Sequence, residues 1–317
     1  MHNALLLLII VTLGAITPVD RFSEKVEEHG PQGDLAFDSR VGRPAYVKQH
    51  PKVLFDEAHN NADTSGGRYK PFADLITSDG YTVIPNTASF SASALKGRDI
   101  LVIVNASGPQ AQREAPAFTK EECDAVSEWV ASGGALLLIT DHAPFSSAMS
   151  DLFKHFGVEL TKGHTVDPQH YDKAGGDQTE IIFTRDEGLV VEHPITRGRD
   201  GSERINRITT FTGTSLKGPS TGVPFLKLSD AALDVLPPDR KPAPGEQSDD
   251  YKTSSAAGRA QGVAFEFRKG RVVVLSEAAM LTAQITPAGY RFGINVPGLD
   301  NRQLALNIMH WLSGLLK

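Results

Sequence analysis

The sequence predicts an α/β fold: a doubly wound, mostly parallel sheet carrying a β-rich insertion. Three observations carry that prediction. Candidate strands alternate with candidate helices through the first half of the chain. Those strands are written as continuous apolar runs, the pattern of a sheet buried on both faces, and not as one-sided alternation. After Gly157 the rhythm changes to short β-like pieces between turn residues, and the α/β pattern returns only near the C-terminus.

The elements follow in order. Ala4 to Leu13 (ALLLLIIVTL) is an apolar run ahead of Gly14 and Ala15, so residues 1–18 read as a signal peptide and the mature chain as periplasmic or secreted. The run is shorter than the roughly 20 apolar residues of a membrane span, and no later stretch approaches that length. Residues 19–50 are polar and turn-rich, an extended leader. From residue 51 to 317 a single domain is expected. KVLFD at 52–56 is the first core strand, and apolar residues at helical spacing in 69–78 precede the Asp79-Gly80 stop. YTVIP at 81–85 and DILVIV at 99–104 are the next strands. Thr119 is suited to cap a helix over 119–131, with Glu121 and Glu122 in its first turn, and Ser132-Gly133-Gly134 ends it. ALLLI at 135–139 is a fourth strand, followed by a helix over 147–156. The insertion spans 158–262. Within it, residues 229–262 are dense in Pro, Ser, Gly and charge and read as a mobile loop. Residues 262–267 and 271–275 flank a turn as a hairpin, and 300–315 is a closing amphipathic helix.

Composition removes several functions. With 32 Lys+Arg against 38 Asp+Glu the net charge is -6, which lacks the basic footprint of nucleic-acid binding. One cysteine makes no disulfide and no paired-cysteine zinc site. Neither G-x-x-x-x-G-K-[ST], G-x-G-x-x-G after a strand, G-x-S-x-G nor H-E-x-x-H occurs, so the signatures of phosphate-loop ATPases, dinucleotide enzymes, α/β-hydrolase esterases and zincins are all missing.

What remains is the set of polar residues at strand exits, where open parallel sheets bind ligands. The first strand runs into Asp56, Glu57, His59, Asn60 and Asn61, the third into Asn105 and Ser107, the fourth into Asp141 and His142, and the late strand into Ser276 and Glu277. We expect Asp56, Glu57, His59, Asp141, His142 and Glu277 to line one site as candidate catalytic groups. Asn60, Asn61, Asn105, Ser107 and Ser276 are the candidate ligand-binding residues. Two imidazoles among carboxylates suit either acid–base work or a divalent metal, with His59, Asp141 and His142 as candidate ligands. Each residue also has a plain structural alternative: Asp56 and Asp141 as turn caps, His59 and His142 as histidines donating to the backbone.

The sequence resembles the class I glutamine amidotransferase-like superfamily, and within it the DUF4350-type proteins related to the GldG and IFT52 group. The resemblance rests on VLFDEAH at 53–59, on FTKEE at 118–122 with WVASGGALLLI at 129–139, and on GRVVVLSE at 270–277. HPITRG at 193–198, with Phe211, Gly213, Ser215 and Leu216, is similar to a segment of trehalose-utilisation-type relatives. The resemblance implies a flavodoxin-like sheet. It also implies a cysteine nucleophile in the turn after the fourth strand, where this chain reads Thr140-Asp141-His142-Ala143-Pro144, so a cysteine-dependent glutamine amidotransferase is not expected. It implies instead a pocket for a small polar ligand of carbohydrate type. The alternatives are a His/carboxylate hydrolase, metal-dependent or not, acting on sugar or cell-wall derivatives, and an assembly module with a vestigial site.

Overall fold

A computed structural model describes residues 32–34, 36–173, 175–237 and 251–317. The expected signal peptide and the start of the leader lie outside the described residues.

The centre is a nine-stranded sheet. Its strands are β1 (Lys52–Asp56), β2 (Thr82–Asn86), β3 (Ile100–Val104), β4 (Ala135–Ile139), β5 (Glu159–Leu160), β6 (Leu216–Lys217), β7 (Val223–Lys227), β8 (Ala260–Phe267) and β9 (Gly270–Leu275). The spatial order is β2-β1-β3-β4-β9-β8-β6-β5, with β7 also paired to β8. From β2 to β9 every pairing is parallel. From β9 onward every pairing is antiparallel. The sheet is therefore mixed, where the sequence suggests a mostly parallel one. The parallel half has the order 2-1-3-4 followed by the late strand, which is consistent with a flavodoxin-like fold.

Successive residues of these strands face opposite layers, as the two-residue period of a strand requires. Val53, Phe55, Val102, Leu137 and Ile139 pack with α1 (Lys70–Ser78), through Phe72, Leu75 and Ile76, and with the helix Asn301–Leu312. Leu54, Leu101, Ile103 and Leu138 pack on the other face against α2 (Lys120–Ala131), through Cys123, Val126 and Val130. We call the helix Asn301–Leu312 α3. Both faces are apolar because both are covered, which is why the strands read as unbroken runs. α2 starts at a capping box in which Thr119 and Glu122 bond each other's backbone amides. The helix expected over 147–156 forms as two short ones, Phe145–Ala148 and Ser150–His155.

The expected loop 229–262 carries structure at both described ends. Leu233–Leu236 pairs antiparallel with Lys252–Ser255 and with His164–Val166. Its anchor is Asp234, fully buried, which accepts hydrogen bonds from Thr165 Oγ1 at 2.7 Å and Ser215 Oγ at 2.8 Å. A composition rich in Pro and charge hid this strand, whose polar core residue depends on hydroxyls far away in sequence. The described part of the leader is tied down as well: Ala45 N–H donates to Asp79 Oδ1 at 2.8 Å, and Arg43 pairs with Asp200 and Glu203.

Candidate functional site

The strand order reverses between β1 and β3, so the crevice at their carboxyl ends is where this topology places a ligand. Four exits meet there: the loop after β1, Asn105 after β3, Thr140–Pro144 after β4, and Ser276-Glu277 after β9. The expected residues divide into two groups.

The first group holds the loops. Asp56 is fully buried and accepts from His59 Nδ1, with both carboxylate oxygens at 2.9 Å. The opposite ring nitrogen, Nε2, donates to Glu122 Oε1 at 2.9 Å. Glu122 also accepts from the Phe90 and Thr119 amides. His59 lies between the rings of Phe90 and Phe118, with centroids 4.6 and 4.8 Å away. Burial opposes charge on His59, but the two carboxylates outweigh it and raise its pKa above the ordinary value. Glu122 is pressed down to about 2, because the Thr119 amide and His59 overcome the cost of burial. The result is an imidazolium clamped between two carboxylates. Asn61 donates to Asp56 and to the Val104 carbonyl, Glu57 accepts from Ser65, Ser107 Oγ donates to the Asn60 carbonyl, and Ser276 Oγ donates to the Thr214 carbonyl. These groups are spent on shaping the exits.

Of the expected metal candidates, His59 is taken up by the same geometry. Both ring nitrogens of His59 are engaged, and His142 Nδ1 donates to its neighbour's Ala143 carbonyl at 2.9 Å. Among the described residues no group of three His, Cys, Asp or Glu is arranged to hold a metal ion. His59 therefore has no free ring nitrogen to offer, whereas His142 keeps Nε2 free beside Asp141.

The second group is a knot of carboxylates. Glu277 is fully buried and accepts the Ala279 and Met280 amides at 2.6 and 2.7 Å. Asp141 accepts the His142 amide at 2.9 Å and an amide hydrogen from Ala278. Asp63, 1% exposed, takes a hydrogen bond from Asn105 Nδ2 at 2.8 Å on Oδ2, while its Oδ1 has no hydrogen-bond partner. Among the described residues the Arg68 guanidinium approaches that oxygen, at 3.4 Å. The Asn105 Oδ1 is likewise buried without a partner. Tyr69 Oη donates to the Ala278 carbonyl at 2.6 Å, among all three acids. Burial raises the pKa of Asp63. It lifts Asp141 to about 6 against the pull of His142, with Asp63 adding to the rise. Burial and the nearby Asp141 push Glu277 well above the carboxylate range. Carboxyls displaced in this way by burial and by one another make the knot a candidate site.

The insertion roofs this knot. Gly213 packs so closely on Glu277 that a Cβ there would sit 2.6 Å from the Glu277 Cβ. His164, on the strand His164–Val166, has its pKa lowered by burial and by the charge of His142, which is 44% exposed at the mouth. Sequence reasoning missed Asp63, Tyr69 and His164 as members of the site, and it gave Glu122 only a helix-cap role. The turn after β4 contains no thiol, and Cys123 is buried in α2 with its pKa pushed up to about 11 by burial.

The sequence matches no known family model and no curated protein. Solved structures do match in fold. The N-terminal domain of mmIFT52 is 13% identical, with a TM-score of 0.58 over 83% of this chain and 97% of that one. A ThuA-like protein from Bacteroides uniformis is 14% identical, with a TM-score of 0.41 over 86% of this chain and 95% of that one. A GMP synthase-type protein from Thermoplasma acidophilum is 13% identical, with a TM-score of 0.42 over 85% and 97%. At these identities the likeness is one of fold, and the chemistry has to be argued from the residues.

Proposed function

We propose that the carboxyl edge of the parallel strands binds a small polar molecule rich in hydrogen-bond donors, a polyhydroxylated ligand of carbohydrate type. One observation carries this reading: Asn105 Oδ1 is a buried acceptor with no hydrogen-bond partner, next to Asp63, whose Oδ1 has an ion pair to Arg68 at 3.4 Å but no hydrogen bond, and beside Asp141. A buried acceptor left unpaired costs folding energy of about 1–3 kcal/mol, a cost that a ligand hydroxyl donating to Asn105 Oδ1 would relieve. Titration calorimetry against a panel of monosaccharides, oligosaccharides and linear polyols tests the reading. Asp63→Asn and Asp141→Asn should each weaken the bound member by about tenfold or more, the worth of one hydrogen bond to a charged group. Unchanged affinity in both variants sinks the site. Variants that alter only stability, with no ligand in the panel binding, would make this edge a structural module.

A second reading is favoured by the position of Asp141. A carboxyl held near pH 6 next to a half-exposed histidine suits general acid–base catalysis, and hence hydrolysis of sugar or cell-wall derivatives. Turnover of a chromogenic glycoside panel that disappears in Asp141→Asn would support it.

A further inference from the structure

A cavity of about 560 Å³ lies at the opposite end of the sheet. It is bounded by the residues that enter β1, β3 and β4, by the last turns of α2 and α3, and by the segment 46–51. Five-residue strands separate it from the carboxylate knot by about 17 Å, and the two share no residue. Its size suits a small-molecule site.

Arg98 lines this cavity, and its Nε is buried with no hydrogen-bond partner. Among the described residues Arg98 makes no ion pair, while the neighbouring Asp99 spends Oδ2 on the Lys52 amide at 2.7 Å. With Nε buried, it is the two terminal nitrogens, which make no hydrogen bond or ion pair among the described residues, that present a planar edge matching a carboxylate. Trp129 forms another wall. Its ring rests on the backbone of Gly134, where an added Cβ would come within 2.5 Å of ring atoms, so the indole is held in place. His50 donates from Nδ1 to the Gly80 carbonyl at 2.7 Å, which fixes the ring and leaves Nε2 unused. The ends of α2 and α3 also face this space, at Ser132–Gly134 and Leu312-Ser313. Helix C-termini leave carbonyls in want of donors and carry partial negative charge, which resists a bare inorganic anion.

A ligand that answers all of these has a carboxylate for Arg98, an apolar ring face for Trp129, and hydroxyls for the helix-end carbonyls. We propose that this cavity is a second binding site, for a hydroxylated ring carboxylate of the sugar-acid type. It is independent of the site at the other edge.

D-glucuronate is the probe, followed by calorimetry and by tryptophan fluorescence. The chain has two tryptophans, and Trp311 is 5% exposed against Arg271, so a saturable change reports Trp129. Glucuronate should bind at least about tenfold more tightly than glucose, and Arg98→Gln should remove that advantage, since a charge-assisted bidentate contact is worth that much. Asp63→Asn should bind glucuronate as the unaltered protein does. The Arg98 guanidinium has no ion-pair partner among the described residues, so its replacement leaves folding intact, as circular dichroism will check. No saturable signal with glucuronate, equal binding of glucose, or full binding by Arg98→Gln each overturns the proposal. Loss of glucuronate binding in Asp63→Asn overturns it too, by placing the ligand at the other edge.

Discussion

Replacing Asp141 by Asn should stabilise the folded protein at neutral pH. Its carboxyl is lifted from 3.8 in an unfolded chain to about 6 in the fold, chiefly by burial. The folded state thus keeps a proton that the unfolded chain gives up across that window, and stability falls as pH rises from about 4 to about 6. The shift is about 2 units, and at 1.36 kcal/mol per unit the ionised side chain costs about 3 kcal/mol above pH 6. The side chain is 19% exposed, so solvent relieves little of this. Asn keeps an oxygen for the His142 amide and brings no charge, so most of that cost should disappear. Urea denaturation of both proteins between about pH 3.5 and 7.5 is the assay. The variant should gain about 1–3 kcal/mol at the alkaline end and converge with the parent at the acid end. A variant less stable than the parent at neutral pH, or a gap that does not change with pH, would refute the burial argument.

Two further outcomes follow from the same structure. His59→Ala leaves Asp56 and Glu122 buried without their shared cation and should cost about 3 kcal/mol or more. Because the His59 pKa is raised, that contribution is complete below the ordinary 6.5 and fades as pH climbs through the raised value. Denaturation curves should therefore converge under alkaline conditions, and a gap that widens there contradicts the clamp. Gly213→Ala places a Cβ 2.6 Å from Glu277 Cβ and should cost about 2 kcal/mol, read as a lower midpoint of thermal unfolding. An unchanged midpoint would mean the insertion does not press on the carboxylates.

The strands were legible because burial on both faces writes itself as an apolar run; KVLFD and ALLLI begin and end where β1 and β4 do. The cap at Thr119 was legible because its partners lie within one helical turn. The candidate site was only half legible. Strand-exit reasoning found Asp141 and Glu277 but grouped His59 with them, since nothing local shows that its Nε2 is taken by Glu122, 63 residues later. Asp63 and Tyr69 escaped notice for a similar reason. Asp63 sits in a polar loop, and its burial arises from long-range packing near Asn105, Asp141 and Glu277. Tyr69 read as the start of a helix, and its hydroxyl finds Ala278, 209 residues away.

β9 sits where the two halves of the sheet meet, taking β4 in parallel on one side and β8 antiparallel on the other. A chain trimmed of residues 158–262 would keep every parallel strand yet lose most of the antiparallel half that braces β8. What remains of β8 would still cover β9, but its own outer backbone would have lost β6 and β7, its amides and carbonyls a template for strands of other molecules. Residues 158–262 thus cover an edge of the sheet that would otherwise be open to pairing. Attempts to shrink this fold to its parallel core should yield fibres or swapped dimers before they yield a smaller soluble monomer.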